Sequence, residues 1–398
     1  MGMVPRVLVG LALIGSGSLL TGCSSPESVS RGLADVDSNV VTTEEFLGLD
    51  QWEVVICRIP DEVADPTYAT DAERLALDVD ALVGRLDGVS EYFARWSHDR
   101  YTIEWVPAAD VVIDRDETSY DCADRALDAS DSATNGVLVV ADAQHDVEAP
   151  GGWGRRGESC DRPCAARESR RAAYVGASDF VSYWGGDSPL DLIEHEIGHA
   201  LGWPHSATSA GVGDNHVYDS DLDVMSNSAA PREVDMTRRH APGVLAFNAW
   251  SAGWLDDDEA VVVSLDGIRP GDWQDAVRLV ASDSAPSDTR VRMLVVDLGA
   301  TWLTVEAVAD RGDNDHLEEP GVAVHEIVFD SDAPEGRWHV VQSMGTSASH
   351  LLGVGDQWSS ASSELSIRIG EFTVVDGVLG VDVRVRRDVA SDQAPREP

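Results

Sequence analysis

His195-Glu196-Ile197-Gly198-His199-Ala200-Leu201-Gly202-Trp203-Pro204-His205 decides the reading of this 398-residue chain. Two histidines four apart lie on one face of a helix, one turn from each other. A hydrolytic zinc site takes three protein ligands and keeps one position open. His205 offers the third ligand, provided that the helix stops and the chain turns back. Gly202 suits that turn, because it accepts a left-handed backbone without a Cβ clash. Glu196, beside the first ligand, is placed to take a proton from water. The stretch fixes five positions over eleven residues, which separates it from a chance pair of histidines on a surface helix.

The flanks agree with that reading. Asp187 or Ser188 reads as an N-cap, with Pro189 at the first helical position. Leu192, Ile193, Ile197, Ala200 and Leu201 supply an apolar face. Downstream, Met225 stands twenty residues after His205, within Val217-Tyr218-Asp219-Ser220-Asp221-Leu222-Asp223-Val224-Met225-Ser226. Its thioether would make a polarizable, apolar floor for imidazoles. Taken alone, an ordinary core methionine is the plainer reading.

From Asp187 to Leu255 the chain resembles the metzincin zinc peptidases, in the branch with gametolysin and the immune inhibitor A type enzymes. The likeness is carried by the histidine motif, Tyr218, Asp219, Asp223-Val224-Met225-Ser226 and Phe247-Asn248-Ala249-Trp250-Ser251-Ala252-Gly253-Trp254-Leu255. It implies zinc on His195, His199 and His205, Glu196 as general base, and Met225 in a methionine turn beneath the metal. It also implies a short helix that ends in Gly253-Trp254-Leu255 and closes the catalytic domain. One departure is plain: no tyrosine stands two residues after Met225, where some metzincins carry an extra ligand.

Met1 to Gly22 reads as an export signal, with Arg6 before a short, interrupted apolar core. Leu20-Thr21-Gly22-Cys23 fits a lipoprotein box that would lipidate Cys23; a plain secretory signal is the alternative. The expectation is an exported chain, lipid-anchored to the membrane and facing outward. Residues 23–49 read as a polar tether, short for an inhibitory segment. Residues 50–255 read as an α/β (α+β) metzincin-like catalytic domain. Within it, Val54–Ile59, Tyr101–Val106, Gly136–Ala141 and Arg171–Val181 are strand-like, and Asp71 to about Trp96 is helical. The strand before the zinc helix is expected to offer an edge to an extended peptide.

From residue 256 to 387, apolar runs separated by Gly, Asp, Ser and Pro predict an all-β sandwich-like domain. The runs are 260–265, 276–280, 291–297, 302–308, 321–328, 338–342, 365–369 and 378–385. Leu303–Glu306, Gly321–His325 and Leu352–Asp356 resemble the domain that follows the protease in the same family. Residues 388–398 read as a disordered tail.

With Cys23 lipidated, Cys57, Cys122, Cys160 and Cys164 remain in an exported chain, where disulfides are permitted. Cys57–Cys122 with Cys160–Cys164 is the favoured of three pairings. The net charge of −42, with all 29 basic residues arginine, repels nucleic acid and anionic headgroups. Asp214, Asn215, Asp219, Asp221 and Asp223 form an acidic loop that suits calcium or is simply solvated. The acidic loop from Asp310 to Glu319 carries the same two readings. His216, His240 and His325 read as surface or structural histidines. The function expected is a zinc-dependent endopeptidase of extracellular proteins or peptides. The alternative is a membrane-tethered adhesion or binding module that keeps a metalloprotease fold.

Overall fold

A computed structural model describes residues 46–65, 74–131, 133–145, 151–157, 170–176, 189–208, 218–287, 289–298, 301–329, 338–342, 350–360 and 364–389. The export signal, Cys23, Cys160, Cys164, Asp214, Asn215 and His216 lie outside the described residues. Among the described residues no helix is long and apolar enough to cross a membrane.

The first sheet is built around β1 (Gly48–Arg58), which is buried from Trp52 to Cys57. A strand apolar on both faces needs cover on both. It pairs in parallel with β2 (Tyr101–Pro107), β3 (Val111–Val112) and β4 (Gly136–Ala141). Edge strand β5 (Gly152–Arg155) runs antiparallel to β6 (Arg171–Val175), which pairs in parallel with β4. One face is covered by α1 (Val79–Val83) and α2 (Asp87–Trp96), the other by α3 (Ser119–Ala129).

The single helix expected from Asp71 to Trp96 is therefore two. The chain turns at Gly84, with the Arg85 and Leu86 N–H groups bonded to the Leu82 and Val83 carbonyls. That turn buries both Leu82 and Leu86, which outweighs the continuity of the helical pattern. Helix α3 opens on a capping box between Thr118 and Asp121. Cys122 on α3 is bonded to Cys57 at the end of β1, Cα to Cα 6.2 Å, as expected. This ties the sheet to its covering helix.

Next come α4 (Asp191–Ala200), β7 (Ser206–Thr208), α5 (Ala230–Val234) and α6 (Ala246–Ser251). Helix α6 is the short helix expected before Gly253-Trp254-Leu255. The rest is strand: β8 (Ala260–Ser264), β9 (Val277–Val280), β10 (Met293–Asp297), β11 (Thr301–Val308), β12 (Gly321–Phe329), β13 (Trp338–Gln342), β14 (Gln357–Ser360), β15 (Leu365–Val375) and β16 (Val378–Arg387). Each expected run is a strand; β14 is additional, and β15 is longer than its run. A four-stranded sheet, β14-β15-β16-β9, faces a six-stranded sheet, β7-β13-β12-β11-β10-β8. Leu294, Val305 and Val324 of the larger sheet share one core with Ile367, Val381 and Val383 of the smaller.

The larger sheet's other face packs on the α/β part. Ala260, Val262, Met293, Val295, Trp302 and Ile327 share a core with the residues around α4. The acidic loop after β11 strengthens this junction. Asp313 accepts from Arg95 Nη2 at 2.9 Å and Trp96 Nε1 at 2.9 Å, Asn314 from the Gly243 N–H, and Asp315 from Arg238. Asp313 and Asp315 are thus spent on arginines.

Glu306 on β11 is buried in the same junction and accepts from the Ala246 N–H at 3.1 Å. Burial pushes its carboxyl up to about 7, against bonds from Ser282 and Ala246. A raised carboxyl keeps its proton in the fold while the unfolded chain has lost it. Its contribution to stability is complete below the unfolded value of 4.5 and is lost as pH rises through about 7. Glu306→Gln is therefore expected to raise the urea midpoint at about pH 8 more than at about pH 5. An equal change at both pH values would contradict the protonated carboxyl.

Candidate metal centre

Helix α4 starts at Asp191, two residues later than Pro189. Its start is set by tertiary contacts: the Leu190 and Asp191 N–H groups reach Arg239 O at 2.7 and 3.1 Å. Asp191 then pairs with Arg232 at 2.8 Å. Asp187 and Ser188 lie outside the described residues. Of the expected apolar face, Ile193, Ile197, Ala200 and Leu201 are buried and Leu192 is partly so. Glu194, His195 and Glu196 are buried as well, so the helix sits inside the molecule, with polar groups that need partners.

The end of α4 follows from Gly202, whose φ is +85°. Its N–H bonds His199 O at 2.8 Å, and the Trp203 N–H bonds Gly198 O at 2.9 Å. These are the two bonds of a Schellman motif. Trp203 then packs against Phe93 and Trp254. The chain has turned, and His205 faces back to the helix.

The result brings His195, His199 and His205 together, with one ring nitrogen of each within 4.8 Å of the others. His205 Nε2 lies 2.8 Å from His199 Nε2 and 3.3 Å from His195 Nε2. Zinc–nitrogen bonds at tetrahedral angles would set such nitrogens about 3.3 Å apart. The partners of the other ring nitrogens decide what these atoms can do. His195 Nδ1 donates to Val224 O at 2.6 Å, and His199 Nδ1 donates to Trp203 O at 2.9 Å. With Nδ1 carrying the proton, each neutral Nε2 presents a lone pair. Lone pairs converging on one point repel, and a cation between them removes the repulsion. Burial keeps the rings neutral: it lowers His199 to about 4 and His195 well below its usual value, the latter helped by the other two histidines. The three residues can hold a metal ion.

Glu196 is buried beside this cluster. It lies against Gly152 of β5, where a Cβ would stand 2.7 Å from Glu196 Oε1. A Cβ on Gly154 would overlap the Glu196 carbonyl oxygen. Glycines at both inward positions let β5 lie directly on α4. Strand β6, expected to offer an edge, is paired on both sides; among the described residues β5 is the edge. The Gly152-Trp153-Gly154 alternation is the sequence signal for this close approach.

Met225 is buried with its Sδ against Gly198, the residue before His199. Tyr218, at 45 % exposure, puts its hydroxyl 3.2 Å from His205 Nε2. Asp219 and Asp223 are not grouped as cation ligands. Asp219 accepts from Thr208, and Asp223 from the Ser206 hydroxyl. Among the described residues the one cation-binding group is the histidine triad, so the calcium expectation finds no cluster there. His240 Nδ1 bonds the buried Glu194 at 2.7 Å. His325 is buried in the sheet junction, and burial lowers it to about 3.

No protein-family model matches the chain, and no curated protein does. Among solved structures, metalloproteinase-II from Bacteroides fragilis aligns at 12 % identity and TM-score 0.26, over 54 % of this chain and 56 % of its own. A chaperone–substrate complex aligns at 10 % identity and TM-score 0.22, over 47 % of this chain and 28 % of its own. The chain thus spans less than two thirds of either. At these scores the likeness carries no weight for fold or activity.

Because burial makes His195 and His199 resist protonation, metal uptake is expected to persist at about pH 5.5, below the usual histidine range. His199→Ala leaves two imidazoles and is expected to lose tight binding at both neutral and acid pH. Titration with a chromophoric chelator reads both. Wild-type affinity in His199→Ala would remove it from the ligand set.

Proposed function

We propose that this chain is a zinc-dependent endopeptidase of the metzincin type, exported and held at the outer face of a membrane by a lipid on Cys23. The observation that carries the reading is the convergence of three imidazole nitrogens beside a buried glutamate. Nitrogen donors in a three-residue set suit zinc. A zinc ion held by His195, His199 and His205 supplies Lewis-acid chemistry: it polarises a carbonyl and acidifies water.

The chain's own groups do the rest. Glu196 accepts a proton from water as the water oxygen attacks the scissile carbonyl carbon. It returns that proton to the nitrogen as the C–N bond breaks. Among the described residues strand β5, which lies against Glu196, has a strand on one side only, so an extended peptide adds to it as a further strand. The Tyr218 hydroxyl is close enough to the site to donate to an oxygen of the reacting carbonyl. Met225 packs beneath the helix and keeps the ligand spacing. The acidic surface directs the enzyme away from nucleic acid, and its partners are proteins or peptides.

Glu196→Gln keeps the shape of the side chain and removes its basicity. Zinc content is expected to remain at the wild-type level while hydrolysis of denatured casein falls by about a hundredfold or more. Near-normal turnover in this variant would exclude Glu196 as the base. A wild type that binds zinc but cleaves nothing would favour the binding-module reading.

A further inference from the structure

The loop from Tyr218 to Met225 grips two of the three histidine segments at once. Asp223 is fully buried, and its Oδ2 accepts the Ser206 hydroxyl at 2.6 Å. Ser206 directly follows His205, and its N–H bonds Met225 O at 3.1 Å. On the other side, Val224 is the neighbour of Asp223 and accepts from His195 Nδ1 at 2.6 Å. Asp219 repeats the device two residues further along β7: its carboxylate takes both the N–H, at 2.7 Å, and the hydroxyl of Thr208. Ser206 and Thr208 are the ends of β7 and share one face of it by strand alternation. Strand β7 in turn pairs in parallel with β13, Val340 opposite Ser206 and Gln342 opposite Thr208.

The three histidines are not held equally. His195 and His199 sit on one helix, and each spends its Nδ1 on a carbonyl. His205 is exposed and directly precedes the three-residue strand β7. Its position depends on what fixes that strand. A buried carboxylate is costly unless it is hydrogen-bonded. Asp223 Oδ2 takes the hydroxyl of Ser206, the neighbour of His205, with the backbone of Met225 and Leu245 and the side chain of Asn248 also close to the carboxyl.

We propose that Asp223 is a positioning residue for the metal centre, fixing His205 through the Ser206 hydroxyl while its own backbone presents the Val224 carbonyl to His195. One rigid group thereby sets the distance between two ligands that are ten residues apart in sequence. The C-terminal sheet becomes part of the centre, because β7 is its edge strand. The inference rests on the metal reading above and adds a residue to it that touches neither metal nor substrate.

The test uses the full-length chain, titrated with zinc against a competing chelator and with cobalt(II) as a visible probe of coordination. Ser206→Ala removes one hydroxyl and is expected to fold. It should bind zinc about tenfold more weakly, the scale for loss of a group that supports a ligand, with a changed cobalt absorption band. Ser206→Thr keeps a hydroxyl and should restore both. Asp223→Ala, if folded by near-ultraviolet circular dichroism, should lose more than Ser206→Ala. Wild-type zinc affinity and cobalt spectrum in Ser206→Ala would overturn the proposal, whether or not Asp223→Ala folds. Lowered thermal stability with unchanged metal affinity would overturn it too, since that is all a purely structural role predicts. A wild type that takes up no metal would overturn the metal reading itself, and that first titration tells the two failures apart.

Discussion

Two hydrogen bonds govern the centre: His195 Nδ1 to Val224 O and His199 Nδ1 to Trp203 O. Each places the proton of a neutral imidazole on the outer nitrogen and leaves the inner one as a lone pair. Everything near the site serves to present those two carbonyls. The Trp203 carbonyl is in place because Gly202 ends the helix in a left-handed turn. The Val224 carbonyl is in place because the loop around it is buried and tied to β7. A different tautomer would point an N–H into the cluster and exclude a cation.

The layers around α4 explain why a helix so rich in polar groups can be buried. On one side β5 lies directly on it, through glycines at 152 and 154. Below, Met225 and the aromatic group of Phe93, Trp203 and Trp254 fill the space. Behind, the larger C-terminal sheet adds Met293, Val295, Trp302 and Ile327 to the same core. Three buried carboxyls there have specific partners: Glu194 has His240 and the Ala241 N–H, Asp191 has Arg232, and Asp223 Oδ2 has the Ser206 hydroxyl. Burial then acts on His195 and His199 as a device, keeping them neutral and ready for a metal.

Much of this was legible in the sequence where the cause is local. The four-residue histidine spacing, the turn at Gly202 and the return of His205 are properties of one short stretch. The C-terminal strands were legible because apolar runs alternate with turn residues. What was hidden depends on distant partners. The start of α4 is set by the Arg239 carbonyl and Arg232, which no cap at Ser188 foretells. Strand β5, Gly152-Trp153-Gly154-Arg155, has no apolar run to mark it as a strand, and its glycines gain a meaning only with α4 against them. The three residues of β7 carry too little pattern to announce that they pair with β13, some 130 residues away. Asp219 and Asp223 have the composition of a cation loop, yet Asp219 is used by the Thr208 N–H and hydroxyl and Asp223 Oδ2 by the Ser206 hydroxyl.

The central claim is that three imidazoles hold one metal ion with room for a further oxygen. X-ray absorption at the zinc edge, on the purified chain loaded with one equivalent of zinc, tests it most directly. The account predicts a nitrogen and oxygen shell at about 2.0–2.1 Å, with the multiple scattering of three imidazoles and no sulfur. A shell with two or fewer imidazoles, or with a sulfur at about 2.3 Å, would contradict it.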